Sequence, residues 1–252
     1  MNVVKIMGGL GNQLFGYAFS KRLEQQGNVG LDISFFNSPD NHNPKFPVRD
    51  FLLDRFAIDY KIAGPNNCTE FINEVDYEPD KEYRDTFFWG YWQKGSLFKD
   101  LGLKIRLKDD YIPSRAKEIA DTMRRQNSVA IHVRRTDYAV FPQWLLDTSY
   151  YRLAVDEIRK RVGRPVFYVF SDNMFWAERN LSLNVPVSCV HETDLEDFWL
   201  MSQCKHNIIA NSTYSFWSAY LNDNPEKLVI YPEDWKCGQE PVDFKDERWI
   251  SV

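Results

Sequence analysis

The chain has 252 residues, 44% of them hydrophobic and 15% aromatic, which is ample material for the core of one large domain or two modest ones. A formal charge of -5 and a pI near 5.5 exclude a general affinity for nucleic acid or anionic membrane, so any phosphate site must be a local basic pocket. No apolar run approaches the ~20 residues of a membrane span, and Met1-Asn-Val-Val-Lys-Ile has neither the basic start nor the long core of a signal peptide, so a cytoplasmic protein is expected.

In chain order, Val3 to Met7 predicts a strand, Gly8-Gly-Leu-Gly-Asn-Gln13 a turn, and Leu14 to Gln26 a helix with apolar residues at helical spacing. Asn28 to Ile33 reads as the next strand, Asn37 to Pro47 as a loop, and Arg49 to Ile58 as a helix from its aromatic spacing. Asn66 to Arg84 is acidic and weakly patterned, and Thr86 to Gln93 packs five aromatics around Gly90. Pro113 to Arg125 predicts a helix opened by proline and closed by arginines, leading into a strand from Ser128.

Beyond it, helices at Tyr150 to Arg161, Met174 to Leu181, Asp194 to Cys204 and Thr213 to Leu221 alternate with strands at Val166 to Ser171, Val187 to Val190, Asn207 to Ala210 and Lys227 to Tyr231. Such alternation implies a parallel sheet covered on both faces. The expected architecture is α/β, with two Rossmann-like halves facing a central cleft and a boundary between Leu101 and Ser128, giving domains of 1–110 and 111–252. Cys68, Cys189, Cys204 and Cys237 have neither CxxC nor zinc spacing and are expected to be reduced and structural.

Three clusters carry chemistry. Val129-Ala-Ile-His132-Val-Arg134-Arg135-Thr-Asp137-Tyr138 sets three basic side chains and a carboxylate at a strand end, where open α/β sheets bind ligands. Arg134 can offer a planar fork to a diphosphate, and His132, on the same strand face, can reach a base or ribose. Arg135 points the other way and braces the loop or pairs with an acid. Asp137 is either the general base for an acceptor hydroxyl or a clamp on an arginine. The Gly8 to Gln13 turn either is structural or aims free amides at a ligand. Its Gly9 and Gly11 would let backbone approach, and the Asn12 and Gln13 amides would serve a sugar hydroxyl or phosphate.

Ala210-Asn-Ser212-Thr213-Tyr214-Ser215 opens a helix with a run of hydroxyls suited to an anion. Asp172, in Phe170-Ser-Asp-Asn, either accepts from guanine or caps the following helix. The aromatics between Phe87 and Trp92 divide between core and a stacking wall for sugars. No DxD pair is present, so no metal is expected, and arginine and helix amides would neutralise the leaving group.

At these residues the chain resembles the bacterial α-1,2-fucosyltransferases of glycosyltransferase family 11. The resemblance runs through Gly8-Gly-Leu-Gly-Asn-Gln-Leu-Phe, Gly90-Tyr-Trp-Gln, His132-Val-Arg-Arg-Thr-Asp-Tyr, Phe170-Ser-Asp, Asp197-Phe-Trp-Leu-Met-Ser-Gln-Cys-Lys-His and Ile208-Ile-Ala-Asn-Ser-Thr-Tyr-Ser-Phe-Trp. Thr136 stands where the bacterial family usually has glycine. The resemblance implies a GT-B-like fold and inverting transfer of fucose from GDP-β-L-fucose to the 2-hydroxyl of a galactoside, without cofactor or metal. Arg134 would hold the β-phosphate, His132 and Asp172 the guanosine, and Ser212, Thr213 and Ser215 the diphosphate. Asn12 and Gln13 would face the reacting sugars, with Tyr91, Trp92 and Tyr138 toward the acceptor. The acceptor would be a galactoside-terminated glycan or a lipid-linked oligosaccharide at the inner face of the membrane, with at most peripheral membrane contact. The competing readings are the same fold with another nucleotide sugar, a nucleotide- or sugar-binding protein without turnover, and a Rossmann oxidoreductase using the early glycine turn.

Overall fold

The structure is a computed structural model and describes residues 1–235, 243 and 248–252. The chain divides after Arg106 into two compact α/β units. Cys237 lies outside the described residues; Cys68, Cys189 and Cys204 are free thiols, and of these only Cys204 is buried.

The first unit is built on strands β1 (Asn2–Lys5), β2 (Val29–Asp32), β3 (Glu70–Asn73) and β4 (Thr86–Trp89), with helix α1 (Leu10–Leu23) between β1 and β2. Its four strands are parallel in the order β2-β1-β4-β3, with Val3 and Val4 of β1 opposite Phe87 and Phe88 of β4. β1 and β2 are almost wholly buried, with α1 packed against both, and their buried positions include the polar Asn2 and Asp32. Under α1, Phe19 stacks on Trp92 with ring centroids 3.8 Å apart and meets Phe88 edge-on.

The second unit runs α2 (Ser114–Arg124), β5 (Ser128–Val133), α3 (Thr148–Arg161), β6 (Val166–Ser171), α4 (Met174–Asn180), β7 (Val187–Cys189), α5 (Asp194–Gln203), β8 (His206–Ile208), α6 (Thr213–Tyr220), β9 (Val229–Tyr231) and β10 (Trp249–Ser251). Its six strands are all parallel, in the order β10-β9-β8-β5-β6-β7. The two-residue period of β5 splits the core. Val129, Ile131 and Val133 pack with Tyr151, Val155 and Ile158 of α3, whereas Ala130 faces Met123, Leu200 and Met201 of α2 and α5. Asp147 caps α3 by accepting from the Ser149 amide, and Thr193 and Glu196 close a capping box on α5.

In each unit the first strand is followed by a neighbour on one side, and a later strand fills the other side. The order therefore reverses between β1 and β4 and between β5 and β8. Ligands of open α/β sheets bind beyond the carboxyl ends of the strands at such reversals. No helix among the described residues is long and apolar enough to cross a membrane.

Several elements differ from the sequence expectation. α1 starts at Leu10 rather than Leu14, because Gly8 alone takes the left-handed conformation, φ 75°, and Gly9 already serves as N-cap. Gly11, Asn12 and Gln13 are thus first-turn helical residues. The helix expected from Arg49 to Ile58 reduces to one 3-10 turn at Leu53–Arg55. Its start is bound elsewhere: the Arg49 amide donates to Asn41 Oδ1 and the Leu52 amide to Gln13 Oε1. β5 ends at Val133, so Arg134 lies in the loop and does not share a strand face with His132.

Candidate active site

At the β5/β8 reversal, Arg134 is the first residue beyond β5, and its guanidinium is ordered by two carboxylates. Nε and Nη2 donate to the two oxygens of Asp137 at 2.9 and 2.7 Å, and Nε lies 3.3 Å from Asp172 Oδ2. The arginine and Asp137 are 17% and 13% exposed, dry enough for a two-point ion pair to fix the fork's orientation. Since those bonds use Nε and Nη2, the Nη1 edge is the one a phosphate oxygen would take. Asp137, expected as base or clamp, makes the two-point contact that a clamp requires.

Asp172 neither caps α4 nor faces open space. Asn173 is the cap, accepting from the Trp176 amide at 3.0 Å. Asp172 instead accepts from the amides of Arg135 and Thr136 at 2.8 and 3.1 Å and from the Thr136 hydroxyl, fastening the loop after β5 to the end of β6. Arg135 braces the same loop with its guanidinium 3.7 Å from the centroid of the Trp176 ring.

His132 is 3% exposed on the α2/α5 face of β5, against the ring of Tyr214. Burial, reinforced by Arg134, pushes its pKa down to about 3, so the imidazole is neutral. Its Nδ1 is buried without a hydrogen-bond partner. It therefore offers a bare ring nitrogen inside the unit rather than an exposed cation.

The hydroxyl run after β8 contributes less than its length suggests. Ser215 is fully buried and its Oγ turns back toward the carbonyls of Ala210 and Ser212. Ser212 occupies the N-cap of α6 without a side-chain cap bond and is buried, which leaves Thr213 as the half-exposed hydroxyl at the helix start. Tyr138 is buried, donates its hydroxyl to Asn211 O at 2.8 Å and lies under the Arg134 guanidinium, so it ties the two loops together and does not present itself to an acceptor. Burial pushes its phenol up to about 12.

At the β1/β4 reversal the expected residues also part company. Gln13 is fully buried and spends its amide on the fold: Nε2 donates to Gly8 O and Asp50 O, and Oε1 accepts from Leu52. Gly11 is buried within α1. Gly9 stays at the helix entrance, where a Cβ would come 3.8 Å from the Arg49 guanidinium. Trp92 belongs to the core at 1% exposure, while Trp89 and Tyr91 are the exposed aromatics of that stretch, at 54% and 43%. Asn12 is half-buried and its Oδ1 accepts from Gln93 Nε2 at 3.0 Å.

Arg49, Gln93, Asn211 and Asp197 were not foreseen from residue chemistry. Asn211 Oδ1 is buried and unpartnered while its amide nitrogen donates to Trp144 O. Asp197, in the first turn of α5, has one buried oxygen without a partner, and burial, helped by the nearby acids Asp194, Glu192 and Glu196, pushes its pKa up to about 7. In sequence Asp197 simply ends the acidic first turn Asp194-Leu-Glu196-Asp197, so nothing local sets it apart from its neighbours.

Comparison with known proteins adds a family and a fold. The family model described as glycosyl transferase family 11 matches residues 67–250. An α-1,2-colitosyltransferase of Escherichia coli is 28% identical over 99% of this chain and 98% of its own. The human galactoside α-(1,2)-fucosyltransferase 1 is 38% identical over 85% of this chain and 63% of its own. The O-antigen biosynthesis glycosyltransferase WbnK of Escherichia coli is 26% identical, with 98% and 99% covered. Among solved structures, NodZ α-1,6-fucosyltransferase soaked with GDP-fucose superposes with a TM-score of 0.55 at 16% identity, covering 91% of this chain and 94% of that one. That likeness shows the fold class, α/β and GT-B-like.

Proposed function

This chain belongs to glycosyl transferase family 11 and is a glycosyltransferase; from that premise we propose that it transfers L-fucose from GDP-β-L-fucose to the 2-hydroxyl of a galactoside, inverting to an α-1,2 linkage without a metal ion. The observation that carries the reading is the locked fork of Arg134 at the β5/β8 reversal. As C1 of fucose parts from its phosphate oxygen and bonds the acceptor oxygen, negative charge grows on the β-phosphate, and GDP and a proton are released. A guanidinium whose orientation is already fixed stabilises that charge without reorganising, and the α6 N-terminus adds positive potential from Thr213 onward. The neutral His132, with its unpartnered Nδ1, suits the guanosine half of the donor. Asp137 acts in this account as the residue that aims Arg134. The acceptor is a galactoside-terminated glycan or lipid-linked oligosaccharide precursor handled at the cytoplasmic face, a placement supported by the O-antigen relative.

A second donor is favoured by one observation: one of the relatives matched over nearly both whole chains is named a colitosyltransferase. Colitose lacks one ring hydroxyl of fucose, and a site that hydrogen-bonds that hydroxyl rejects the deoxy sugar by roughly 10⁴-fold. GDP release from GDP-fucose and from GDP-colitose, with EDTA present and a panel of β-galactosides, tests both. Acceptor-dependent release from GDP-fucose supports the first reading, preference for GDP-colitose replaces the donor, and loss of turnover in EDTA removes the metal-free mechanism.

A further inference from the structure

Asn211 grips two separate turns of the loop that carries Arg134. It follows Ala210 beyond β8 and precedes Ser212, the N-cap of α6. β5 and β8 are hydrogen-bonded neighbours, so the Arg134 loop, residues 134–147, and the start of α6 leave adjacent strand ends. The loop contains two 3-10 turns, Asp137–Val140 and Pro142–Trp144. Asn211 meets both: its carbonyl accepts from the Tyr138 hydroxyl at 2.8 Å, and its Nδ2 donates to Trp144 O at 2.9 Å. The Tyr138 phenol is also bonded to the Ser212 side chain, and its ring meets Trp144 edge-on with centroids 5.5 Å apart.

Stability alone does not explain this grip. Asn211 is 2% exposed, and its Oδ1 is buried without a hydrogen-bond partner. A buried carbonyl oxygen left unmet is costly, and a small apolar residue would occupy the position without that cost. What the amide supplies is the bond to Trp144 O, which an apolar side chain cannot make. At the other end of the link, the Tyr138 ring lies under Arg134, with Cζ of the guanidinium 5.7 Å from the ring centroid. Asp137 and Asp172 fix how the fork is turned, and Asn211 fixes where its loop stands relative to α6.

We infer that Asn211 is a positioning residue: it sets the loop that carries Arg134 against the N-terminus of α6, so that the guanidinium and the helix end act on one diphosphate. Charge grows on the leaving phosphate during transfer, and donors stabilise it only if they already stand at the right spacing. The inference rests on the fucosyl-transfer reading and extends it to a residue that acts through Arg134 rather than on the substrate.

Steady-state kinetics of single and double variants test it, at a temperature where each is folded. Asn211→Ala removes the bond to Trp144 together with the unmet oxygen, and Tyr138→Phe removes the hydroxyl while keeping the ring under Arg134. Each is expected to lower kcat by about tenfold or more, since small misplacements of a working group cost up to about a hundredfold. A purely structural residue would lower Tm and leave the turnover of folded enzyme unchanged. A double-variant cycle adds a second readout: Arg134→Ala should cost clearly less in the Asn211→Ala background than its roughly hundredfold in the wild type, because the guanidinium is already misplaced there. The same cycle with Tyr138→Phe serves if Asn211→Ala does not fold. Wild-type kcat in either folded variant, or losses that multiply independently in the double variant, overturns the role of Asn211 and leaves fucosyl transfer intact. A wild-type protein that releases GDP from no GDP-sugar overturns the fucosyl-transfer reading and this inference together.

Discussion

The two strand-order reversals occupy equivalent places in their sheets and carry different chemistry. At β5/β8 the working groups are charged: a guanidinium gripped by Asp137 and Asp172, a second one on an indole, and a neutral histidine beneath. At β1/β4 they are mostly neutral, amides, an aromatic ring and glycines, with the Glu74 carboxylate on the Tyr91 amide and the Arg49 guanidinium near Gly9. Topology fixes where a Rossmann-like sheet can hold a ligand, and the residues after the strands fix which ligand. Ion pairs suit a diphosphate, whereas neutral amides beside an exposed ring suit a sugar.

The comparison can be broken at several points. The largest effect is expected from Trp92→Ala, which removes the ring stacked on Phe19 and should cost about 3–5 kcal/mol of stability, read as a lower denaturant midpoint. Arg134→Ala should cost on the order of a hundredfold in kcat, as for loss of one charge-stabilising donor, and should also lower Tm, because it strands the nearly buried Asp137 and Asp172 carboxylates. Asp137→Asn sharpens the contrast between clamp and base: GDP affinity measured by calorimetry should weaken by about tenfold as the two-point pair is lost, and intact GDP affinity with abolished transfer would restore the base assignment.

A smaller effect concerns pH. Asp197, with its pKa raised to about 7 by burial, holds a proton in the folded protein where the unfolded chain, near 3.9, has lost it. It therefore contributes stability that is fully present below the unfolded value and is lost as pH rises through about 7. Asp197→Asn should raise Tm at pH 8 relative to pH 6 compared with wild type, and an unchanged pH slope would show that the carboxyl is already ionised. The smallest effect is expected from Ser215→Ala, about 1 kcal/mol or less, with turnover retained, because its hydroxyl turns back to the carbonyls of Ala210 and Ser212.

The alternation of apolar strands and helices beyond Ser128 was legible because parallel strands buried on both faces write themselves as short apolar runs. β3 was not, since it is a four-residue edge strand with no strictly buried position, and neither was β10, three residues at the opposite edge of its own sheet. The false helix at Arg49 to Ile58 came from aromatic spacing that serves tertiary contacts, such as Phe51 against Phe36. Around the site, Arg134 and Asp137 were visible as a local run, but that Asp172 joins them, and which atom each engages, depends on the pairing of β5 with β6. Gln93 was invisible for the same reason: nothing local reveals that β4 lies beside β1. Gln13 and Ser215 were overvalued because a polar side chain near a turn looks alike whether it faces a ligand or closes a backbone gap.

The insertion of β4 between β1 and β3 also sets a schedule for folding. During synthesis β1, α1 and β2 emerge early, but one edge of β1 stays unpaired until Phe87 and Phe88 leave the ribosome. Long-range parallel pairing of this kind is slow, because the intervening loop must close before any contact rewards it. Chains that stop short of Trp89 are accordingly expected to present an apolar strand edge and to aggregate, whereas chains extended past Gln93 carry the strand that covers it.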